Sequence, residues 1–410
     1  MASASRLRTA ALALLPVALL LSHRNLTAVA VLIALTVAGS WQSVRVPGWT
    51  WPALALAGYL ALSSAWTPST GDRDWAVRIP AFVAVILGVV WAGRRGGGRD
   101  VRAFGLAVFA ACLLLGVEGA TGGGIRDALP PPNAADRDDV STARGIGLAV
   151  AMLPAGGLCL WRSFGRAGLW MTGAAAACLW IGAVRFDVAA NVLALAAAAG
   201  AGGLAWLAPR RAAVAALWGM AAAFALVPIL ALFLPPVEVL TSYTDGSVSW
   251  RQRLVIWRTV ADVGTANVWT ALFGAGQQAS VALGEAAGTV VLPGSPVPLP
   301  RVPTHPHSVF LTIWYEAGAL GSALAAASLG LGARRLARVA LAPSALAALT
   351  ATLGSAFVFL AVDASLWTLW RGAALVLAAY GLVLAAGEGL SGVHASSTKA
   401  RDEAAKGRLA

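Results

Sequence analysis

Apolar residues fill most of this 410-residue chain in long runs, not in the strict alternation of a half-buried strand. Twelve runs approach the roughly 20 residues that cross a hydrocarbon core. They cover 9–22, 26–41, 50–66, 75–92, 102–118, 145–161, 166–183, 188–207, 212–234, 307–332, 339–362 and 366–386. The pattern predicts an all-α polytopic membrane protein of about twelve transmembrane helices, with residues 1–386 as one domain. Two connections exceed what a turn requires. The first, 119–144, holds GGG, PPP and DRDD and reads as disorder that ends at Arg144. The second joins helices 9 and 10 over residues 235–304 and carries periodicity of its own. The tail 387–410 is rich in serine, alanine and charge and is expected to be disordered.

Composition agrees with a membrane solvent. The hydrophobic fraction is 59%, the charged fraction 12% and the mean hydropathy +0.75, too little polar material to cover a soluble protein of this size. A net charge of +12 could point to nucleic acid, but its distribution assigns it to topology. With the N-terminus in the cytoplasm, every second connection is basic. That side receives Arg6, Arg8, Arg45, Arg94, Arg95, Arg99, Arg102, Arg162, Arg166, Arg210, Arg211, Arg334, Arg335 and Arg338, and the tail adds Lys399, Arg401, Lys406 and Arg408. The opposite side holds most acids, among them Asp136, Asp138 and Asp139. Both termini are therefore expected in the cytoplasm and the long loop outside. The first run follows Arg6 and Arg8 as in a signal peptide, but no clear small-x-small cleavage site follows it, so it reads as a first helix. Cys112, Cys159 and Cys178 fall inside apolar runs and read as small buried hydrophobes.

The candidate chemistry clusters on the outer side. In SVSWRQRLVIWRTVADVG, 247–264, a 100° step gathers Arg251, Val255, Arg258 and Asp262 on one face and Ile256, Trp257, Val260 and Val263 on the other. Arg251 and Arg258 suit a helix lying on lipid phosphates. Arg253 falls among the apolar set, where a guanidinium needs a partner. Arg78, Arg144, Arg185 and Arg371 sit at outward ends of predicted spans. Each alone could snorkel to headgroups. Together they would place several planar cations at one depth, suited to phosphate oxygens. Two of only four histidines, His305 and His307, stand in THPHS before the tenth span. Pro306 fits a first helical position, which puts His305 near the cap and His307 in the first turn. A helix N-terminus disfavours a charged imidazole and attracts anions. A general base for a sugar hydroxyl and a histidine bonded to headgroups both fit this physics. On a continuous helix Gly318 and Gly321 fall below His307, and Glu316 on the opposite face at mid-membrane, where a polar structural contact is the simpler reading than a proton relay.

HSVFLTIWYEAGALG, 307–321, resembles the outer-loop motif of the O-antigen ligase family: His-Ser, nine residues, then GxxG. RLVIWRTVADV, 253–263, is similar to that family's Arg-x3-Trp helix, and FGAG, 273–276, to the glycine pair after it. SSAWTPSTGDRDWAVR, 63–78, ARGIGLAVAMLPAG, 143–156, and VRFDVAANVLAL, 184–195, are similar to further family segments, although Val184 stands where the family usually has serine and an expected asparagine is absent from the second. The likeness is densest over 144–332. It implies a metal-independent periplasmic glycosyltransferase of the bacterial inner membrane, without cofactor. Its partners would be an undecaprenyl pyrophosphate-linked glycan as donor, a lipid A-core sugar hydroxyl or other glycan as acceptor, and membrane lipids, but no nucleic acid. His307, Arg253 and Arg185 would be catalytic; Arg144, Arg251, Arg258, His305, Arg78 and Arg371 would bind substrate; Ser308, Glu316, Gly318 and Gly321 would build the motif. A polymerase of the same superfamily is the nearest alternative, since Arg253 to Gly264 also meets an Arg-x10-Gly spacing. A secondary transporter would show inverted repeats, and none is visible in the sequence. A non-catalytic scaffold would tolerate loss of His307 and Arg253.

Overall fold

The computed structural model describes residues 2–44, 46–69, 74–130 and 139–406. Arg45, Asp136, Asp138 and Arg408 lie outside the described residues. Among the described residues, ten helices are long and apolar enough to cross a membrane: Ala4–Leu21, Trp75–Arg94, Gly98–Thr121, Asp139–Phe164, Arg166–Arg185, Ala189–Leu207, Pro209–Leu232, Val309–Arg338, Pro343–Val362 and Leu369–Gly387. The protein is a multi-pass, all-α membrane protein.

The two remaining predicted spans are shorter helices. Leu26–Leu35 ends in the 3-10 turn Ala38–Ser43, and Trp51–Leu62 is followed by the 3-10 turn Ser63–Ala65. Polar and small residues at Thr36, Gly39 and Ser40, and Pro47 and Pro52, limit both. Both pack against the spanning helices. His23 meets Ser141 at 3.1 Å, while Ser40 accepts from Trp91 at 3.3 Å. Trp49 lies beside Gly332, while the Tyr59 hydroxyl donates to the Phe273 carbonyl at 2.6 Å. Contacts at both ends join like with like. Arg8 pairs with Asp100 at 2.7 Å and Arg210 donates to the Val339 carbonyl at one end; Arg253 donates to the Val362 carbonyl at the other.

The helix Asp139–Phe164 is the centre of the main core and is buried along most of its length. Its glycines permit this: a Cβ on Gly145 would stand 2.3 Å from the Leu19 carbonyl oxygen, and one on Gly156 2.7 Å from the Val108 side chain. The stretch 119–130, expected as disorder, is ordered. The preceding helix runs to Thr121, Gly124–Ala128 is a short helix, and a buried Arg126–Glu118 pair at 2.7 Å ties them. The last helix extends over Leu369–Lys406 and so takes in most of the tail expected as disordered, whose alanines, lysines and glutamates favour helix.

The loop 235–304 is a folded cap. It holds the helices Val237–Leu240, Val248–Gly264, Val268–Phe273 and Ala279–Ala286 and a two-residue antiparallel ladder, Thr289–Val290 with Leu299–Pro300. Its cores are Ile256, Val260, Ala279, Leu283 and Val302 packed on Leu311 and Tyr315, and Leu240, Val255, Val290 and Leu292.

The cap docks where the helix Val309–Arg338 is broken. Gly318 has φ 66° and ψ −167°, outside helical space and open only to glycine. The amides of Ala275 and Gly276 donate to the carbonyls of Tyr315 and Glu316 at 2.8 and 3.0 Å. The Glu316 carboxylate, fully buried, accepts from the Gln278 and Ser280 amides at 3.1 and 3.3 Å, the Ser280 hydroxyl at 2.5 Å and the Trp367 indole at 2.7 Å. The expectation that Gly318 and Gly321 form a smooth face below His307 is thereby corrected, because the helix does not continue through Gly318. The backbone of 272–274 occupies the gap: a Cβ on Gly318 would lie 2.4 Å from the Leu272 carbonyl, and one on Gly274 2.3 Å from that of Glu316.

Gly274→Ala should therefore cost at least about 2–3 kcal/mol, from strain at φ 81° together with the clash. Gly203→Ala, in a helix with no atom near, should gain about 0.5–1 kcal/mol. Thermal unfolding of the detergent-purified variants checks this, and equal midpoints would refute the junction's role.

Candidate active site

Beside the main core, bounded on one side by the segment that joins the cap to the helix Val309–Arg338, lies a cavity of about 450 Å³. Its polar end is lined by Arg144, His305, His307, Asp363, Ser365 and Arg371. Its apolar arm runs between Phe82, Leu148, Ala151, Phe359 and Leu375. Four predicted site residues thus share one wall, delivered by three separate elements: the second turn of Asp139–Phe164, the first turn of Leu369–Lys406, and the bent segment before Val309.

The histidine segment differs from the expected geometry. The helix begins at Val309, not at Pro306, and Ser308 is its cap, with its hydroxyl accepting from the Leu311 amide at 3.5 Å. Serine's short side chain reaches back to the first-turn amides in a way a proline or imidazole cannot. His307 consequently sits outside the helix, in the left-handed region at φ 53°. Such a conformation costs about 1–3 kcal/mol and persists only when the surroundings hold it. The His307 amide donates to Nδ1 of His305 at 3.1 Å, which puts the His305 proton on Nε2. The two rings stand 4.2 Å apart, and Nδ1 of His307 is buried without a hydrogen-bond partner.

Cations surround these rings. Arg371 pairs with Asp363 at 2.9 Å, also donates to the Asp363 carbonyl, and stacks on Trp370 at 4.8 Å. Arg144 makes no hydrogen bond or ion pair among the described residues. Arg253 is held from the cap side: Nε donates to the Val362 carbonyl at 2.8 Å and Nη1 to the Ser249 carbonyl and hydroxyl at 3.1 and 2.5 Å. The anionic partner expected for it is thus mainly a carbonyl at a helix C-terminus, where the last turn leaves acceptors free. Burial pushes its guanidinium down and Asp363 opposes this. Burial first, then the neighbouring His307 and the charges of Arg371 and Arg144, lowers His305 to about 3, with Asp363 opposing. Burial first, then Arg253, Arg371 and Arg144, lowers His307 to about 4, again against Asp363. Both rings are neutral at pH 7.

Other predicted site residues lie elsewhere. Arg251 is buried inside the cap, its guanidinium donating to the carbonyls of Tyr243 at 2.5 Å and Pro293 at 2.7 Å. Arg258 donates to the carbonyls of Leu232 and Leu234 at 2.6 and 2.8 Å and pairs with Asp262. Arg251 therefore ties the cap together and Arg258 holds it on the end of the helix Pro209–Leu232; neither lines the cavity, a correction to their reading as substrate ligands. Arg78 lies over Trp75 and beside Asp74 at 3.3 Å, half-exposed and outside the lining. Arg185 is exposed next to Gly122, although its neighbour Phe186 lines the cavity. The sequence reading missed Asp363, the only carboxylate that pairs with a cavity arginine among the described residues. Its signal is an acid closing an apolar run eight positions before Arg371. It also missed Asn191, whose amide donates to the Ala143 carbonyl at 2.8 Å, next to Arg144.

No protein-family model matches the chain, and neither a curated protein nor a solved structure matches it.

The depressed histidines make a pH prediction. The unfolded chain protonates them near pH 6.5, the native state only near 4 and 3. Stability from this source is complete above about pH 6.5 and is lost as pH falls toward 3. The thermal midpoint of wild type should drop more between pH 6.5 and 4 than that of His305→Gln/His307→Gln; parallel curves would mean that the rings protonate normally.

Proposed function

We propose that this chain is a glycosyltransferase of the membrane that moves a glycan from a polyprenyl pyrophosphate carrier to a sugar hydroxyl, in the manner of an O-antigen ligase. The observation that carries the reading is the cavity: a cluster of arginines and neutral histidines at the mouth of an apolar arm. A lipid pyrophosphate has that same division between an anionic head and an apolar chain. On this reading the cavity end faces the periplasm and the arginine-rich end the cytoplasm of a bacterial inner membrane, which follows the charge asymmetry of the connections.

The chemistry would run as a single displacement. The acceptor oxygen forms a bond to the anomeric carbon as the bond from that carbon to the pyrophosphate oxygen breaks. The pyrophosphate leaves with the electron pair, and Arg144, Arg371 and Arg253 neutralise its charge. The acceptor proton passes to Nδ1 of His307, the unpartnered nitrogen. With the donor absent, a ring held near 4 is a weak base. A bound pyrophosphate offsets the arginines that depress it and moves it back toward the pKa range useful at neutral pH. Donor binding would thus arm the base, and an empty site would stay idle. Asp363 orients Arg371 through its carboxylate and carbonyl.

A polymerase would need the same donor site and differ only in a lipid-linked acceptor. Against the transporter alternative, the broken helix at Gly318 does not leave carbonyls open to an ion: those of Tyr315 and Glu316 are taken by the cap.

A deletion strain complemented with wild type, His307→Ala, Arg144→Ala or Arg371→Ala tests this, with membrane levels of each variant matched. Transfer by His307→Ala is expected to fall about 10²–10⁴-fold. Long glycan should accumulate on the polyprenyl carrier while lipid A-core stays bare. A single repeat unit on lipid A-core would identify the polymerase instead. Unchanged gels in the deletion strain itself would remove the proposal.

A further inference from the structure

At the arginine-rich end, away from the cavity, lies a second hollow of about 410 Å³, bounded by Gly98, Arg99, Arg102, Arg162 and Ser163. It forms where the first turn of Gly98–Thr121 meets the last turn of Asp139–Phe164. We propose that it binds the phosphate headgroup of an anionic phospholipid, as a built site separate from the candidate active site.

Three guanidinia face this one hollow, and among the described residues none has a hydrogen bond or an ion pair. Arg102 only covers the Phe164 ring, at 5.4 Å, and Nε of Arg162 is shut from solvent without a partner. The nearest acid cannot neutralise them. Asp100 is buried and committed to Arg8 at 2.7 Å, the Ser5 hydroxyl at 3.0 Å and the Gly97 amide at 3.3 Å. Three like charges around an empty space repel one another, and a ligand carrying negative charge removes that cost. The amides at the start of the Gly98 helix add positive potential on the same side.

The flank identifies the source of the phosphate. Trp161, beside Arg162 in the chain, is 36% exposed, and Leu169 and Trp170, in the first two turns of the following helix, are 54% and 81% exposed. Exposed indoles beside a cationic hollow are what the headgroup level of a bilayer requires, with room for acyl chains along the apolar side. A soluble phosphate would have no use for this flank. Basic pockets between transmembrane helices are suited to such headgroups.

The test is native mass spectrometry of the detergent-purified full chain titrated with phosphatidylglycerol, cardiolipin or phosphatidylcholine. Wild type should retain the two anionic lipids and not phosphatidylcholine. Arg99→Gln/Arg102→Gln/Arg162→Gln should retain them at least about tenfold less. Arg334→Gln/Arg335→Gln/Arg338→Gln, which removes equal charge from the same end, should retain them as wild type does. Should the triple variant not accumulate, Arg102→Gln and Arg162→Gln singly are each expected to weaken retention about fivefold. Equal loss in both triple variants, or equal retention of phosphatidylcholine, would reduce the site to diffuse basic charge and overturn the proposal. Inorganic phosphate raising the thermal midpoint of lipid-free protein as much as phosphatidylglycerol does would overturn the lipid assignment in favour of a free-phosphate site.

Discussion

The buried carboxylate of Glu316 and the helix break two residues after it hold the cavity-bearing half of this protein together. A carboxylate inside the bundle is costly unless its lone pairs are filled. Here four donors fill them, two amides and a hydroxyl from the cap and the indole of Trp367 from the segment that precedes Leu369. The break at Gly318 lets the Tyr315 and Glu316 carbonyls accept from Ala275 and Gly276. One short stretch, Tyr315 to Gly318, therefore binds the cap, its own helix and the loop that runs from Asp363 to the helix bearing Arg371. If this junction loosened, Arg253 on the cap side and Arg371 on the bundle side would lose their common reference.

The cavity follows from that arrangement. Its lining cations, Arg144 and Arg371, come from the bundle, Arg253 lies behind them on the cap side, and a single ion-paired carboxylate, Asp363, stands among them. Burial first, and an excess of positive charge second, keep the imidazoles neutral, and that excess leaves the site in need of an anion. The apolar arm gives that anion an apolar body. The strained backbone at His307 is maintained by the cap Ser308 on one side and by the bond to His305 on the other.

Much of this was legible along the chain, and the failures have common causes. Apolar runs and arginine asymmetry outlined the bundle because span length and charge side are local properties. The runs 26–41 and 50–66 were overextended because hydropathy does not sense where a helix tightens to a 3-10 turn. The wheel through Gly318 failed because helical periodicity assumes a continuous ladder, and the break is stabilised by residues forty positions upstream. Arg251 and Arg258 looked like surface cations because a helical wheel shows direction and not what lies there; carbonyls of the cap and of a neighbouring helix lay there instead. Arg253, singled out as misplaced on an apolar face, proved to be the arginine of that helix nearest the cavity.

Taken alone, the sequence determined that this is a many-span membrane protein with two chemically distinct ends, because transfer of apolar residues and arginine placement are decided residue by residue. It also determined which residue types were available for phosphate and proton chemistry. Only the tertiary structure decided which of them meet. Arg144, His307 and the Asp363–Arg371 pair are distant in the chain, and their meeting depends on glycine-permitted helix approach and on hydrogen bonds to Glu316, both of which are long-range contacts that no local pattern encodes.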